Sequence, residues 1–266
     1  MKLIIQIITV GMAFYCMIAI IIYFFQEKML FYPMGTPFGT CSQLVRYNAK
    51  AVNVDGIRYY LKQVINPENW IVIYHGNAGN ACDRTYFYDL LSGFNSNIVL
   101  FEYPGFGGDL SVPDENIIRE KALALVSYIK KTESEKLPIF LMGESMGTGV
   151  ATWVSTQTSI SGLILISAYT SMADVAQNHY PWLPVRYLLK HKFLSNIWAK
   201  QTDSPAILFH GLDDDIIPIK LAREQVTNFK GRARLIEIDD CKHNNILGIG
   251  ETVLKKEIKK FIISES

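Results

Sequence analysis

The chain has no excess of charge of either sign. Its 26 Lys and Arg stand against 25 Asp and Glu, leaving a net charge of +1 over 266 residues, so nothing draws it electrostatically to nucleic acid. It has no internal repeat, no low-complexity tract and no long block of like charge, which removes repeat arrays and biased tails from consideration. Cysteine is scarce, with four in the chain. Cys16 lies in an apolar run, and Cys41, Cys82 and Cys241 cannot all pair. No full disulfide framework is therefore expected, their spacing carries no metal motif, and each reads as an ordinary cysteine. What is present is 49% hydrophobic and 12% aromatic residues, the composition of an ordered core rather than of a disordered chain. The length suits one large α/β domain or two small ones.

One long hydrophobic run stands at the N-terminus. Leu3 to Phe25 is interrupted by Gln6 and Thr9 as its clearly polar residues. About 23 residues at roughly 1.5 Å each reach about 35 Å, enough to cross a bilayer. Tyr15 and Tyr23 suit a headgroup region, and Gln26-Glu27-Lys28 ends the run. A cleaved signal peptide would carry a shorter apolar core and a small-residue cleavage site. No Ala-x-Ala pattern follows, and the run continues into Met29-Leu30-Phe31-Tyr32-Pro33. The expectation is an uncleaved single-pass anchor over residues 1–28 and a domain over 29–266. Lys2 and the α-amine on one flank, against Lys28 offset by Glu27 on the other, give a slight bias toward a domain outside the cytoplasm.

Beyond the anchor, Ala51–Val54 and Arg58–Val64 flank Asp55-Gly56, a hairpin signal. Then come Trp70–Tyr74, Asn97–Phe101, Pro138–Met142, Leu163–Ile166, Ala206–Phe209 and Ala233–Ile238. Several are unbroken apolar runs without alternation, the signature of strands covered on both faces. Helices are expected over Asp114–Lys131, Met146–Gln157, Lys220–Phe229 and Glu251–Ile262, the first with a carboxylate-rich start and a Lys130-Lys131 end that suit the helix dipole. The rhythm predicts an α/β fold, mostly parallel, with an antiparallel hairpin at one edge. Residues 169–202 break it. They read as short helices forming a small cap over a site, or as a surface helix pair, and the aromatics there could instead touch a bilayer.

The chemistry enters with Leu137-Pro138-Ile139-Phe140-Leu141-Met142-Gly143-Glu144-Ser145-Met146-Gly147-Thr148-Gly149. An apolar strand runs into Gly-x-Ser-x-Gly and then into a helix. A serine hydroxyl becomes a nucleophile only when held exposed beside a base, and a sharp strand-to-helix turn exposes it. Gly143 and Gly147 remove Cβ atoms that would collide beneath that turn. The backbone N–H of Met146, the residue after the nucleophile, is one candidate oxyanion donor. The base and its orienting acid belong at other strand ends. The strand ending at Phe209 runs into His210-Gly211-Leu212-Asp213-Asp214-Asp215, and the last strand into Asp239-Asp240-Cys241-Lys242-His243. A carboxylate from the first and a histidine from the second complete a triad; the run itself leaves three aspartates open.

At these residues the chain resembles an α/β-hydrolase, and within that superfamily the membrane-anchored bud-emergence-homologue group. That group shares the anchor, a following Tyr-x-Pro-like segment (here Tyr32-Pro33), the His75-Gly76-Asn77-Ala78-Gly79-Asn80 motif, a glycine-rich segment matched by Tyr103–Gly107, and Gly143–Gly147. The resemblance covers nearly the whole chain. The family pattern His-Gly-x-x-Asp-x-x-apolar-Pro falls on Asp214 and leaves Asp213 and Asp215 as loop or capping carboxylates. His243 holds the family's histidine position, and the second oxyanion donor is implied to be the Asn77 N–H. His75 and His210 are expected to be buried imidazoles that hold loops, and His179 and His191 to serve surface or packing roles.

The implied activity is that of a membrane-anchored serine hydrolase acting on carboxylic esters or thioesters through an acyl-enzyme, with no metal or organic cofactor. Its substrates would be small or lipid-like acyl compounds or acylated proteins. A peptidase of the same fold and a non-catalytic anchored scaffold are the competing readings. Serine rather than aspartate at the turn disfavours a dehalogenase.

Overall fold

The computed structural model describes residues 1–132 and 136–266. Eight strands form one sheet: β1 (Ala49–Val54), β2 (Ile57–Lys62), β3 (Asn69–Tyr74), β4 (Ser96–Glu102), β5 (Ile139–Glu144), β6 (Gly162–Ile166), β7 (Ala206–Gly211) and β8 (Ala233–Ile238). Their spatial order is β1-β2-β4-β3-β5-β6-β7-β8. The hairpin β1-β2 and the β2-β4 pair are antiparallel; every pairing from β4 to β8 is parallel. The helices are α1 (Lys2–Leu30), α2 (Leu44–Tyr47), α3 (Tyr86–Leu90), α4 (Glu115–Thr132), α5 (Met146–Gln157), α6 (Met172–His179), α7 (Val185–Leu188), α8 (Ser195–Ala199), α9 (Ile219–Asn228), α10 (Ile246–Ile249) and α11 (Glu251–Glu265).

The unbroken apolar runs are explained by burial on both faces. In β3, Trp70, Val72 and Tyr74 enter one core layer, with α4 and α5, while Ile71 and Ile73 enter the other, with α3 and α11. Leu141 and Leu208 join the first layer; Phe140, Met142, Ile207 and Phe209 join the second. Each fully buried aliphatic or aromatic side chain contributes roughly 1.5–3 kcal/mol, so the middle strands hold the domain together. The edge strands β1 and β8 are only partly covered. The chain leaves β3 to build β4 on one side and later returns to build β5 on the other. A crevice opens at such a switch, at the carboxyl ends of the strands.

Two features depart from what the composition suggests. Cys41 and Cys82 form a disulfide across 41 positions, whereas the sequence reads each cysteine as ordinary. The stretch after α1 folds back over the loop following β3, where Asn80 Nδ2 donates to Thr36 O at 2.7 Å, and this carries Cys41 to Cys82. The insertion between β6 and β7 also divides. α6 and α7 lie over the strand ends, but α8 belongs to the body of the domain: Trp198 and Ala199 enter the first core layer, and Gln225 Nε2 donates to Ser195 O.

Candidate active site

Ser145 sits between β5 and α5 with φ 51° and ψ −121°. An L-residue reaches that region only under strain held by its surroundings. Two close approaches set the turn. A Cβ on Gly143 would lie 2.5 Å from Gly147 O, and one on Gly147 would lie 2.0 Å from Tyr74 O. Helix α5 can therefore press against the end of β3 only because position 147 has no side chain. The Ser145 N–H donates to Ile166 O at 2.9 Å, fixing the turn to β6 as well.

Three strand ends meet here. His243, past β8, places Nε2 3.1 Å from Ser145 Oγ and Nδ1 2.8 Å from Asp214 Oδ2. Asp214, past β7, is buried, and its other oxygen accepts the N–H groups of Ile216 (3.0 Å) and Ile217 (2.7 Å). Burial alone would push this carboxyl up. Hydrogen bonds from His210 and His243, and from the Ile217 backbone, outweigh it and hold Asp214 well below the usual carboxylate range. Asp213 and Asp215 point to solvent. His210 fills the loop role expected for it, since its Nε2–H donates to Ile217 O at 2.7 Å; it also reaches Asp214 Oδ2 at 3.3 Å, a second contact that the sequence reading missed. Its place directly after the apolar run Ala206–Phe209, still within β7, is the available signal.

The loop after β3 faces the serine. A Cβ on Gly76 would lie 3.5 Å from Ser145 Cβ, and among the described residues neither the Asn77 N–H nor the Met146 N–H donates a hydrogen bond. The loop is held from three sides. Tyr32 bridges Ala78 in parallel, with Tyr32 N–H to Asn77 O at 2.9 Å and Gly79 N–H to Tyr32 O at 3.0 Å; the Asn77 side chain donates to Leu30 O at 2.8 Å. Beneath it, His75 is buried, its Nδ1–H donating to Gly76 O. Burial, with the nearby Arg84 charge, pushes its pKa down to about 3, so the ring is neutral. Buried Glu102 lies 3.9 Å from His75 Nε2, and burial raises its pKa to about 8. Beside the serine, Arg84 pairs with Glu144 at 2.7 Å, and the Tyr86 hydroxyl donates to the same carboxylate. Nothing in the motif announces this cluster except that Arg84 is the one cation between His75 and Asp89.

A cavity of about 210 Å³ adjoins Ser145 and Met146, walled by apolar side chains of α6, α7 and the turns around them, and by the end of α1. His179 lines it, with Nε2–H donating to Ile216 O, whereas His191 is buried between the end of α1 and the start of α4. A larger cleft of about 490 Å³ lies at the opposite end of the strands, around Leu137 and Ile160, away from this arrangement. Among the described residues no group of three or more His, Cys, Asp or Glu side chains could hold a metal ion.

Comparison with known proteins agrees with this architecture. Residues 65–202, just over half the chain, match the Hydrolase_4 family model, described as serine aminopeptidase, S33. An uncharacterised protein of Mycobacterium tuberculosis is 27% identical over 244 residues, spanning 89% of this chain and 87% of that protein. The lysophosphatidylserine lipase ABHD12 of Macaca fascicularis is 29% identical over 175 residues, which is 58% of this chain and 44% of that protein, so the chain spans under half that relative's length. An esterase of Pyrococcus furiosus has the same fold, with a TM-score of 0.68 over 88% of this chain and 97% of that one, at 15% identity. The chain belongs to the Hydrolase_4 (serine aminopeptidase, S33) family and has the α/β-hydrolase fold.

Proposed function

We propose that this protein is a membrane-anchored serine hydrolase that cleaves carboxylic esters or thioesters of lipid-like acyl substrates through an acyl-enzyme. The observation that carries the reading is the hydrogen-bonded line Ser145 Oγ–His243 Nε2 and His243 Nδ1–Asp214 Oδ2, at 3.1 and 2.8 Å, opening on an apolar cavity. In this reading Ser145 Oγ attacks the acyl carbon as its proton passes to His243 Nε2. Asp214, ionised across the physiological range, fixes the ring with Nδ1 protonated and stabilises the imidazolium. The N–H groups of Asn77 and Met146 hold the oxyanion. His243 then protonates the leaving oxygen or sulfur and takes a proton from the water that releases the acid.

Among the described residues lining the cavity there is no carboxylate, which favours an acyl chain over the ammonium end of a peptide. The lipase and esterase relatives support an ester substrate. α1 has the length and apolarity to cross a membrane and is the anchor in this reading. The Cys41–Cys82 disulfide favours an oxidising compartment, hence a domain outside the cytoplasm, in line with the charge bias at the two ends of α1.

The test is labelling of the full-length protein by a fluorophosphonate probe, with Ser145→Ala and His243→Ala alongside. Labelling of the parent and of neither variant is expected, and Ser145→Ala should lower kcat by up to about 10⁶. A folded parent that does not react, or a serine variant that still does, overturns the reading.

A further inference from the structure

Helix α1 does more than lead into the domain. Ile22, Gln26, Met29 and Leu30, from its last three turns, line the cavity that holds Ser145. The docking is specific. Gln26 is buried; its amide donates to Leu188 O at 3.1 Å, and its oxygen accepts the Lys190 N–H at 2.7 Å. Glu27 pairs with Lys190 Nζ at 2.9 Å. Further toward the N-terminus, the Tyr15 hydroxyl donates to Trp182 O at 3.0 Å, and the two rings lie 6.3 Å apart. A buried amide bonded through both its nitrogen and its oxygen fixes the rotation of a helix, because any other rotation strands two polar atoms.

Tyr15, Ile22 and Gln26 recur at helical spacing and form the face turned to the insertion. Met17, Ile20, Ile21 and Phe24 are exposed on the opposite side of the same helix. Tyr15 and Gln26 are eleven residues apart, about 16 Å along the axis. The loop between α6 and α7 therefore runs beside the apolar body of α1 rather than below its end. That loop and α7 expose Tyr180 (41%), Trp182 (52%) and Tyr187 (90%), the side chains that favour a membrane interface. The cavity thus lies between one helix built to meet lipid and an aromatic-rich surface beside it.

We propose that the C-terminal half of α1 is a wall of the acyl-binding site, and that the substrate is a long-chain acyl ester of the bilayer whose chain reaches Ser145 along α1 without crossing water. Each methylene that would otherwise pass through water costs free energy, and this path avoids that cost. The inference rests on the reading of Ser145 as nucleophile, and its test separates the two.

The full-length chain carrying Ser145→Ala is reconstituted in phosphatidylcholine vesicles with a lysophospholipid whose palmitoyl chain bears a terminal diazirine, and photo-adducts are mapped. Adducts are expected on Ile22, Met29 or Leu30 and on Leu183 or Leu189, and to fall on competition with unlabelled palmitoyl ester. Met29→Trp, which fills the cavity from α1, should lower those adducts and shift the ratio of palmitoyl to acetyl ester turnover by about tenfold toward acetyl. Ile21→Trp, on the outward face, should change neither. Adducts confined to outward residues such as Met17, Ile20 and Phe24, or an unchanged chain-length ratio in Met29→Trp, overturn the proposal. Specific adducts at Met29 without ester turnover by the parent would instead sustain the acyl groove and sink the nucleophile reading.

Discussion

Replacing Gly147 by alanine should cripple the protein while leaving its fold recognisable. The added Cβ would lie 2.0 Å from Tyr74 O, 2.6 Å from Tyr74 C and 2.7 Å from His75 O, all backbone atoms, and real Cβ contacts essentially never fall under 3.0 Å. β3 and α5 must therefore separate by about 1 Å. Overpacking of this kind costs about 1–3 kcal/mol, sometimes more. Alanine returns up to about 1 kcal/mol in helix propensity, so a net loss of roughly 2 kcal/mol is expected, lowering Tm by about 4–8 °C. The effect on turnover should be larger. Tyr74 leads directly into the loop carrying Asn77, while position 147 lies two residues from Ser145, so the separation pulls the proposed oxyanion donors apart. A 1 Å misplacement costs about 10²-fold. Short-chain ester turnover and thermal unfolding of the detergent-solubilised protein measure both. Gly248→Ala is the control, since its Cβ would meet nothing within 4 Å. A Gly147→Ala protein with parental Tm and kcat would show that the turn does not depend on this close approach.

Asp214→Asn keeps the shape of the site but removes the charge that orients His243, and fluorophosphonate labelling should slow by about 10⁴; a rate within tenfold of the parent would argue that Asp214 does not serve the histidine. Glu102 has its pKa raised from 4.5 to about 8 by burial, so the folded state holds a proton that the unfolded state releases, and stability should fall as pH rises from about 4.5 to 8. Glu102→Gln should flatten that decline and raise Tm at pH 8–9, read from paired unfolding curves; identical pH slopes would refute it. Removing the Cys41–Cys82 bridge by a double serine substitution opens a loop of 41 residues and should cost up to about 4 kcal/mol, seen as a lower Tm that no longer responds to reductant.

Much of the sheet is legible in the chain because burial on both faces leaves a local record. Trp70–Tyr74 and Ala206–Phe209 are unbroken apolar runs, and both belong to interior strands buried along their whole length. Ser145 is legible for a related reason, since strand, turn and helix are contiguous. Asp214 was not singled out by its own run of three aspartates; a family pattern selected it, and the structure shows the physical difference, which is that Asp214 alone of the three is buried against His210 and two backbone N–H groups. The short helices α2, α3 and α10 passed unseen because four or five residues carry too little periodicity. Gln26 reads as the polar end of an anchor, yet it is buried, because its partners Leu188 and Lys190 lie more than 160 positions away. The Cys41–Cys82 bridge and the Arg84–Glu144 pair escaped for the same reason: long-range proximity leaves no trace in local spacing.

The clasp between α1 and the loop after β3 limits what changes in length this chain can accept. Asn77 uses its side chain on Leu30 O and its backbone oxygen on Tyr32 N–H, so Phe31 alone separates the two gripped residues. One residue added or lost at this joint would rotate everything N-terminal to it by about 100°. Ile22 would leave the cavity and Gln26 would lose both partners in the 188–190 stretch. Lengthening or shortening α1 at its N-terminal end leaves that phase intact. The helix should therefore lengthen freely at its far end and be closed to insertions and deletions from Tyr15 to Tyr32.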